Sequence, residues 1–286
     1  MATQQPTKRP AVGRVGDNYS IISNFNTGYR NREDITNLPP GVLIAGSQNV
    51  LTDVTGRVGI TRGYALDGAA STALAPILAA FDYERHTGDT QHLRAGFLTS
   101  AGNDGKLQYR YVDSSGTVTW RDLMTGLTSV SFNFTDYWDN TNFLSKVLFV
   151  NGTSNIYSWT GGVTTFASAT VNTITKQGTE TWGELGFTPT GSVVINGTSY
   201  AYTGGTGTTT LTGVTPDPSG SGYTAGTVIH QAVVTTANSS MTNIPSTLAN
   251  SLIGTLKNQV YIGSLVNNQV YVSKTNDFTN YSFTLS

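Results

Sequence analysis

The sequence predicts an all-β chain, and three observations carry that prediction. β-branched and aromatic residues recur in short runs, turn-forming clusters separate the runs every 8–12 residues or so, and helix signals are nearly absent. Among 286 residues, 32 are Gly, 14 are Tyr and 11 are Phe, a mixture suited to short strands and tight turns.

Taken in order, the opening "MATQQPTKRPAVGRVG" is polar, basic and proline-containing, so residues 1–23 are expected to form a flexible arm. "STALAPILAAF" is alanine-rich, but Pro76 interrupts it and predicts an extended run. Strands are expected at "KLQYRYV", "TVTWRDL", "VSFNF", "KVLFV", "NIYSW", "SVVI", "SYAYT", "QVYIG" and "QVYVSK". "TLANSLIGTLKNQVY" is expected to open with a helical turn before it becomes a strand. "NDG" at residues 103–105 and the two Asn-Gly pairs at Asn151 and Asn196 supply the positive φ angles of tight hairpin turns.

Three segments can be laid over one another: "RAGFLTSAGNDGKLQYRYVDSSGTVTW", "SKVLFVNGTSNIYSWTGGVTTF" and "NQVYIGSLVNNQVYVSKTNDFTNYSF". Each reads strand, turn, strand with a central Tyr, turn, aromatic-ended strand. The markers are Tyr109, Tyr157 and Tyr271, spaced by 48 and then 114 residues. Meanders of ~40–50 residues suggest propeller-like blades in a ring that is either minimal or incomplete, since a closed ring needs 4–8. The excess in the second interval matches a Thr- and Gly-rich stretch almost free of charge, expected to be an inserted small β-domain. The expected organisation is therefore an arm at 1–23, a propeller-like domain at 24–168, the insert at 169–235 and the continuation at 236–286. "VNGTSNIYSWTGG" and "INGTSYAYTGG" echo one another because both are expected to make the same two-residue turn, the first in a blade and the second in the insert.

Charge is low and balanced, 16 basic residues against 17 acidic, so nothing favours nucleic acid or an anionic membrane. No run approaches the ~20 apolar residues that span a bilayer, which predicts no membrane insertion. Cysteine is absent, which removes disulfides, thiolate metal sites and a cysteine nucleophile.

Candidate chemistry is sparse. His86 and His92 lie in "FDYERHTGDTQHL" beside Asp82, Glu84 and Asp89; a metal would need two His and a carboxylate to converge, whereas the spacing reads as a polar connection between strands. His230 stands alone. Asp136 with Asp139, or Glu180 with Glu184, would suit an acid/base pair beside Trp138 or Trp182 in a sugar-cleaving site; otherwise they are loop acids. Trp120 and Trp159 sit at strand ends and are expected in the core, while Trp138 and Trp182 remain open between sugar platform and core. No nucleophile elbow, phosphate loop, zinc-protease or calcium-loop pattern occurs. No catalytic, cofactor-binding or metal residue is assigned, and no cofactor is expected.

Residues 24–64, "NFNTGYRNREDITNLPPGVLIAGSQNVLTDVTGRVGITRGY", resemble the opening of propeller-type tail proteins of tailed bacteriophages. The matching residues are Gly28, Arg32, Asp34, Leu38, Pro39, Pro40, Gly41, Asn49, Val50, Gly56, Arg57, Arg62, Gly63 and Tyr64. Near the other end, "NNQVYVSKTNDFTNYSF" resembles a blade motif of the same proteins, including tail nozzle or tubular proteins of short-tailed phages. Those relatives are usually longer, with further blades after that motif. The resemblance implies a non-enzymatic virion protein, made in the host cytoplasm. It would form a ring with copies of itself, beside neighbouring tail or portal/adaptor proteins. DNA would pass through the ring as cargo without sequence-specific binding. A host-glycan adhesin is the alternative, and a glycoside hydrolase a more distant one.

Overall fold

The structure, a computed structural model, describes residues 77–98, 104–264 and 269–285, with four two-residue strands before them. Contacts divide the chain into two compact units, Met1–Leu66 and Asp67–Ser286. In the first, β1 (Tyr29–Arg30) runs parallel to β2 (Leu43–Ile44), and β3 (Val50–Leu51) antiparallel to β4 (Gly59–Ile60). The expected arm, the rest of residues 24–64 and Asn103 of the "NDG" turn lie outside the described residues.

The second unit is all-β, and its sheets are antiparallel. No helix among the described residues is long and apolar enough to cross a membrane. β5 (Ile77–Glu84), β6 (Thr90–Phe97), β7 (Gly105–Val112) and β8 (Val118–Leu127) form one four-stranded meander. β9 (Asn133–Asp139), β10 (Leu144–Val150) and β11 (Asn155–Trp159) begin a second. The expected strand at "VSFNF" starts only at Asn133; ahead of it Val130 and Phe132 pack into the core from the connection.

After β11 the chain leaves the second meander and builds six strands: β12 (Val163–Thr170), β13 (Thr173–Lys176), β14 (Gly191–Ile195), β15 (Thr198–Tyr202), β16 (Thr210–Thr212) and β17 (Val228–Gln231). Their order is β15-β14-β17-β12-β13-β16. A bulge between Phe166 and Ser168 bends β12, whose first half pairs with β17 and second half with β13. Bridges Ala201↔Thr215 and Gly204↔Thr212 join the two edges, so the sheet curls around its own core. That core includes Trp182, Phe187, Val193, Ile195, Tyr202 and Ile229.

The chain then returns as β18 (Val234–Ala237), which pairs with β11 and completes the second meander. "VTTF", aligned by sequence with a meander's last strand, is therefore β12 of the curled sheet, and β18 takes the place it was expected to hold. Gly161, at φ +75°, turns the chain away there. A Cβ at that position would sit 2.8 Å from the Arg85 side chain and 2.9 Å from the Tyr83 ring, so only glycine fits. Strands of the curled sheet thus run from Val163 to Gln231, where the sequence had placed the segment at 169–235.

β19 (Leu252–Leu256), β20 (Gln259–Ser264), β21 (Gln269–Lys274) and β22 (Asp277–Leu285) form a third meander. Its approach is a turn closed by the Leu248 N–H on the Pro245 carbonyl, 3.1 Å, with no helical turn at Thr247. Pro245 sits where that turn begins, and the buried Asn250 uses its side chain to bond the Asn155 carbonyl instead of continuing a helix.

The three meanders stack face to face. Tyr83, Leu93, Leu107 and Tyr109 of the first pack on Val147, Phe149, Tyr157 and Trp159 of the second. The second meander's other face, with Tyr137, Leu148, Val150 and Ile156, packs on Val260, Ile262, Tyr271 and Tyr281 of the third. Burial on both faces explains why β10 reads as the unbroken apolar run "VLFV". Tyr109, Tyr157 and Tyr271 each lie in the third strand of their meander, β7, β11 and β21. Tyr157 and Tyr271 face the preceding sheet, whereas Tyr109 faces the following one. A one-residue slip in phase reverses a side chain's face.

The two Asn-Gly echoes also part company. Asn196 (φ +47°) and Gly197 (φ +81°) form a two-residue turn between Ile195 and Thr198, as a type I′ hairpin requires. At Asn151, only Gly152 has positive φ, and the connection from Val150 to Asn155 is longer. The Gly152 N–H bonds the Asn250 carbonyl at 2.8 Å, so this loop is shaped by docking on the segment before β19.

Candidate functional site

The β5–β6 loop, β9 and the start of β10 enclose a cleft of about 420 Å3, lined by Glu84, Arg85, His86, Asp136, Trp138 and Ser145. Several contacts fix its shape. The Arg85 N–H bonds the Asp89 carbonyl (3.0 Å) and closes the loop. The Arg85 guanidinium reaches the Asp89 carboxylate and the Gly161 carbonyl, the latter at 3.1 Å. Ser145 donates its hydroxyl to the Glu84 carbonyl at 2.9 Å, and the Tyr83 hydroxyl lies 2.7 Å from the Ser145 carbonyl, tying β5 to β10. On β9, the Trp138 backbone is gripped from the β19–β20 turn: Asn258 accepts from its N–H (3.3 Å) and donates to its carbonyl (3.0 Å).

Trp138 is 43% exposed, a large apolar ring held open beside two carboxylates. Desolvation, and then the nearby Glu84 charge, raise the Asp136 pKa above the usual carboxylate range. An exposed indole face next to acceptor carboxylates suits a polyhydroxylated ligand, whose C–H face stacks on the ring while its hydroxyls donate to the acids.

The sequence-selected pairs do not assemble. Asp136 and Asp139 are three apart on one strand and so face opposite sides. Desolvation works against the Asp139 carboxylate, but hydrogen bonds from Lys146 and Asn142 outweigh it and lower its pKa. Lys146 sits 2.5 Å away, and the Thr141 and Asn142 N–H groups at 2.9 and 3.2 Å make Asp139 the anchor of the β9–β10 turn. Glu184 accepts from the Thr181 N–H at 2.7 Å, while Thr181 Oγ1 accepts from the Glu184 N–H at 3.2 Å, a reciprocal capping box. The Thr181 bonds lower the Glu184 pKa, the wrong direction for a general acid. Glu180 is exposed and 3.7 Å from Lys176.

The histidines disperse as well. His92 pairs with Asp82 at 2.6 Å on the exposed β5–β6 surface, Asp89 is held by Arg85, and His86 lines the cleft. No group of three or more potential ligands able to hold a metal occurs among the described residues. His230 is buried in β17 against the Tyr109 ring, 5.4 Å between centroids. Trp182 is fully buried and meets Phe187 edge-on at 4.7 Å, so it is core to the curled sheet and cannot serve as a sugar platform. Trp159 is buried with its indole N–H on the Gln231 carbonyl (2.9 Å), and Trp120 lies under the Arg94 guanidinium at 4.1 Å.

Sequence reasoning weighed Asp136 with Asp139, and Glu84 with the histidines. It did not bring Glu84 to Asp136, because only the stacking of the first two meanders joins them. Compared with known proteins, the sequence matches no family model and no curated protein.

Proposed function

We propose that this chain is a non-enzymatic structural subunit of a bacteriophage tail, of the nozzle or hub type. In this reading it assembles with copies of itself and with neighbouring tail or portal/adaptor proteins into a ring through which DNA leaves. The observation that carries the reading is the serial packing of three antiparallel four-stranded meanders. The middle one is buried on both faces, and its first strand, β9, lies against the first strands of its neighbours, β5 and β19. Radial sheets with adjacent innermost strands are how propeller blades are built, and an arc of three falls short of the four that close a ring. The resemblance at residues 24–64 and in the β21–β22 hairpin supplies the tail context. A balanced surface charge fits a channel wall that lets DNA slide, since each basic contact would add salt-dependent affinity.

Electron microscopy of phage particles, with the chain located by fitting, tests the reading. Density for the chain in a symmetric tail ring is the expected result. A protein that stays monomeric at high concentration and is missing from purified particles would remove the proposal. The Trp138 cleft favours a second reading, a module that also holds host glycan. Glycan-array binding that disappears in Trp138→Ala with folding intact would establish it, and an array without signal would end it.

A further inference from the structure

A second and larger cleft, about 520 Å3, lies between β8 and the curled sheet. Its floor is Tyr109 and Arg121, direct cross-strand partners on β7 and β8 and therefore on the same sheet face. Its opposite wall is Val194, Val228 and His230, with the Asn196–Gly197 turn at the rim. The volume is within the ~300–1,000 Å3 of small-molecule sites.

Polar atoms in this cleft are left without partners. Tyr109 is fully buried, and neither its hydroxyl nor the buried Arg121 Nε has a hydrogen-bond partner. Native proteins rarely leave such groups unpaired, since each costs desolvation energy. Arg121 is held in place by stacking its guanidinium over the Tyr111 ring at 4.9 Å, and it forms no salt bridge among the described residues. Asp122, which also borders the cleft, is already committed to Lys106 (2.5 Å) and Gln108 (2.8 Å). Across from these donors, His230 Nδ1 lies 3.0 Å from the Gln231 carbonyl, which places the ring proton on Nδ1. Burial favours the neutral imidazole, so Nε2 is an acceptor.

We propose that this cleft binds a small hydroxy acid of the sugar-acid class. Its carboxylate would accept hydrogen bonds from Arg121 Nε and the Tyr109 hydroxyl. A ligand hydroxyl would donate to His230 Nε2, and Val194 and Val228 would cover the carbon skeleton. A guanidinium that is charged, oriented and unpaired selects an anion. The facing imidazole acceptor selects a ligand that also carries a donor, which sulfate lacks at neutral pH. The site is separate from the Trp138 cleft and does not depend on the role proposed above.

Calorimetric titration of the full chain with glucuronate tests it, with glucose and inorganic sulfate as controls. Saturable binding of glucuronate is expected, at least about tenfold tighter than that of glucose or sulfate. Arg121→Met and Tyr109→Phe should each weaken it about tenfold or more, as loss of one charge-assisted bond predicts. Trp138→Ala should leave it unchanged. Absence of saturable binding, equal binding of glucose or sulfate, or unaltered binding in Tyr109→Phe would overturn the proposal. Tyr109→Phe removes a single oxygen and keeps the test valid if Arg121→Met fails to fold.

Discussion

Asn250→Ala should be among the most damaging single changes in the second unit. Asn250 and Asn238 are both fully buried. The Asn250 amide donates to Asn238 Oδ1 at 2.7 Å and to the Asn155 carbonyl at 3.1 Å; Asn238 in turn donates to the Leu248 carbonyl at 2.9 Å. This pair fastens β11 and the end of β18 to the segment entering the third meander. Alanine removes the two neutral hydrogen bonds that Asn250 donates, about 1 kcal/mol each, with a longer one it accepts from the Asn238 amide at 3.3 Å, and leaves Asn238 Oδ1 desolvated without its donor, about 1–3 kcal/mol more. The expected cost is about 3–5 kcal/mol, read as a lowered urea midpoint with unchanged slope. In a double-mutant cycle with Asn238→Ala, the coupling should be about 1–3 kcal/mol. A loss below about 1 kcal/mol, or additivity of the two changes within ~0.5 kcal/mol, would refute the reasoning.

The two β9 aspartates should respond to substitution with opposite signs. The Asp139 pKa is lowered, so its contribution is present above pH ~4 and disappears as pH falls through its folded value. Asp139→Asn should cost about 2 kcal/mol at pH 7, and much less in acid. The Asp136 pKa is raised, so it favours the fold below pH ~4 and loses that effect as pH rises through its folded value. Asp136→Asn should therefore stabilise at pH 7; urea midpoints from pH 3 to 8 measure both, and matching signs would contradict the assignment. Gly197→Ala should cost about 1 kcal/mol through its φ of +81° alone, because a Cβ there meets nothing within 4 Å. A neutral result in thermal denaturation would mean that the turn rearranges. Tyr109→Phe should stabilise the ligand-free chain by about 1 kcal/mol, since it removes a buried hydroxyl without a partner. A lowered melting temperature would show that the hydroxyl is satisfied in solution.

Local signals carried much of the fold into the sequence. "KLQYRYV", "NIYSW" and "QVYVSK" are strands because their side chains suit a pleated, half-buried surface, and Asn196-Gly197 is a hairpin because both residues tolerate positive φ. What failed were choices made by distant partners. "VTTF" has the look of a meander strand, yet Gly161 and the pairing with β17 send it elsewhere. Asn151-Gly152 has the same letters as the true hairpin, but its backbone answers to Asn250, about a hundred residues later. The clefts were least legible. Asp136 drew attention for its type, while its neighbour Glu84 lies 52 positions away. Tyr109 served as a repeat marker, and nothing local indicated that β8 and the curled sheet would strand its hydroxyl. Trp182 and Trp138 have similar surroundings in sequence, but one became core and the other stayed open.

The return of the chain at β18 has a consequence for biosynthesis. β11 ends at Trp159 and its edge partner begins at Val234. At ~5–20 residues per second, that edge leaves the ribosome roughly 4–15 s before the strand that covers it. During that wait the middle sheet offers a bare hydrogen-bonding edge to any nascent neighbour. The curled sheet ends the exposure. Val163 in β12 pairs with His230 in β17, so once it folds it brings Val234 back beside Ser158. Most of the loop-closure entropy for the late strand is then already spent. Whatever the curled sheet binds, it times the completion of the sheet that it interrupts.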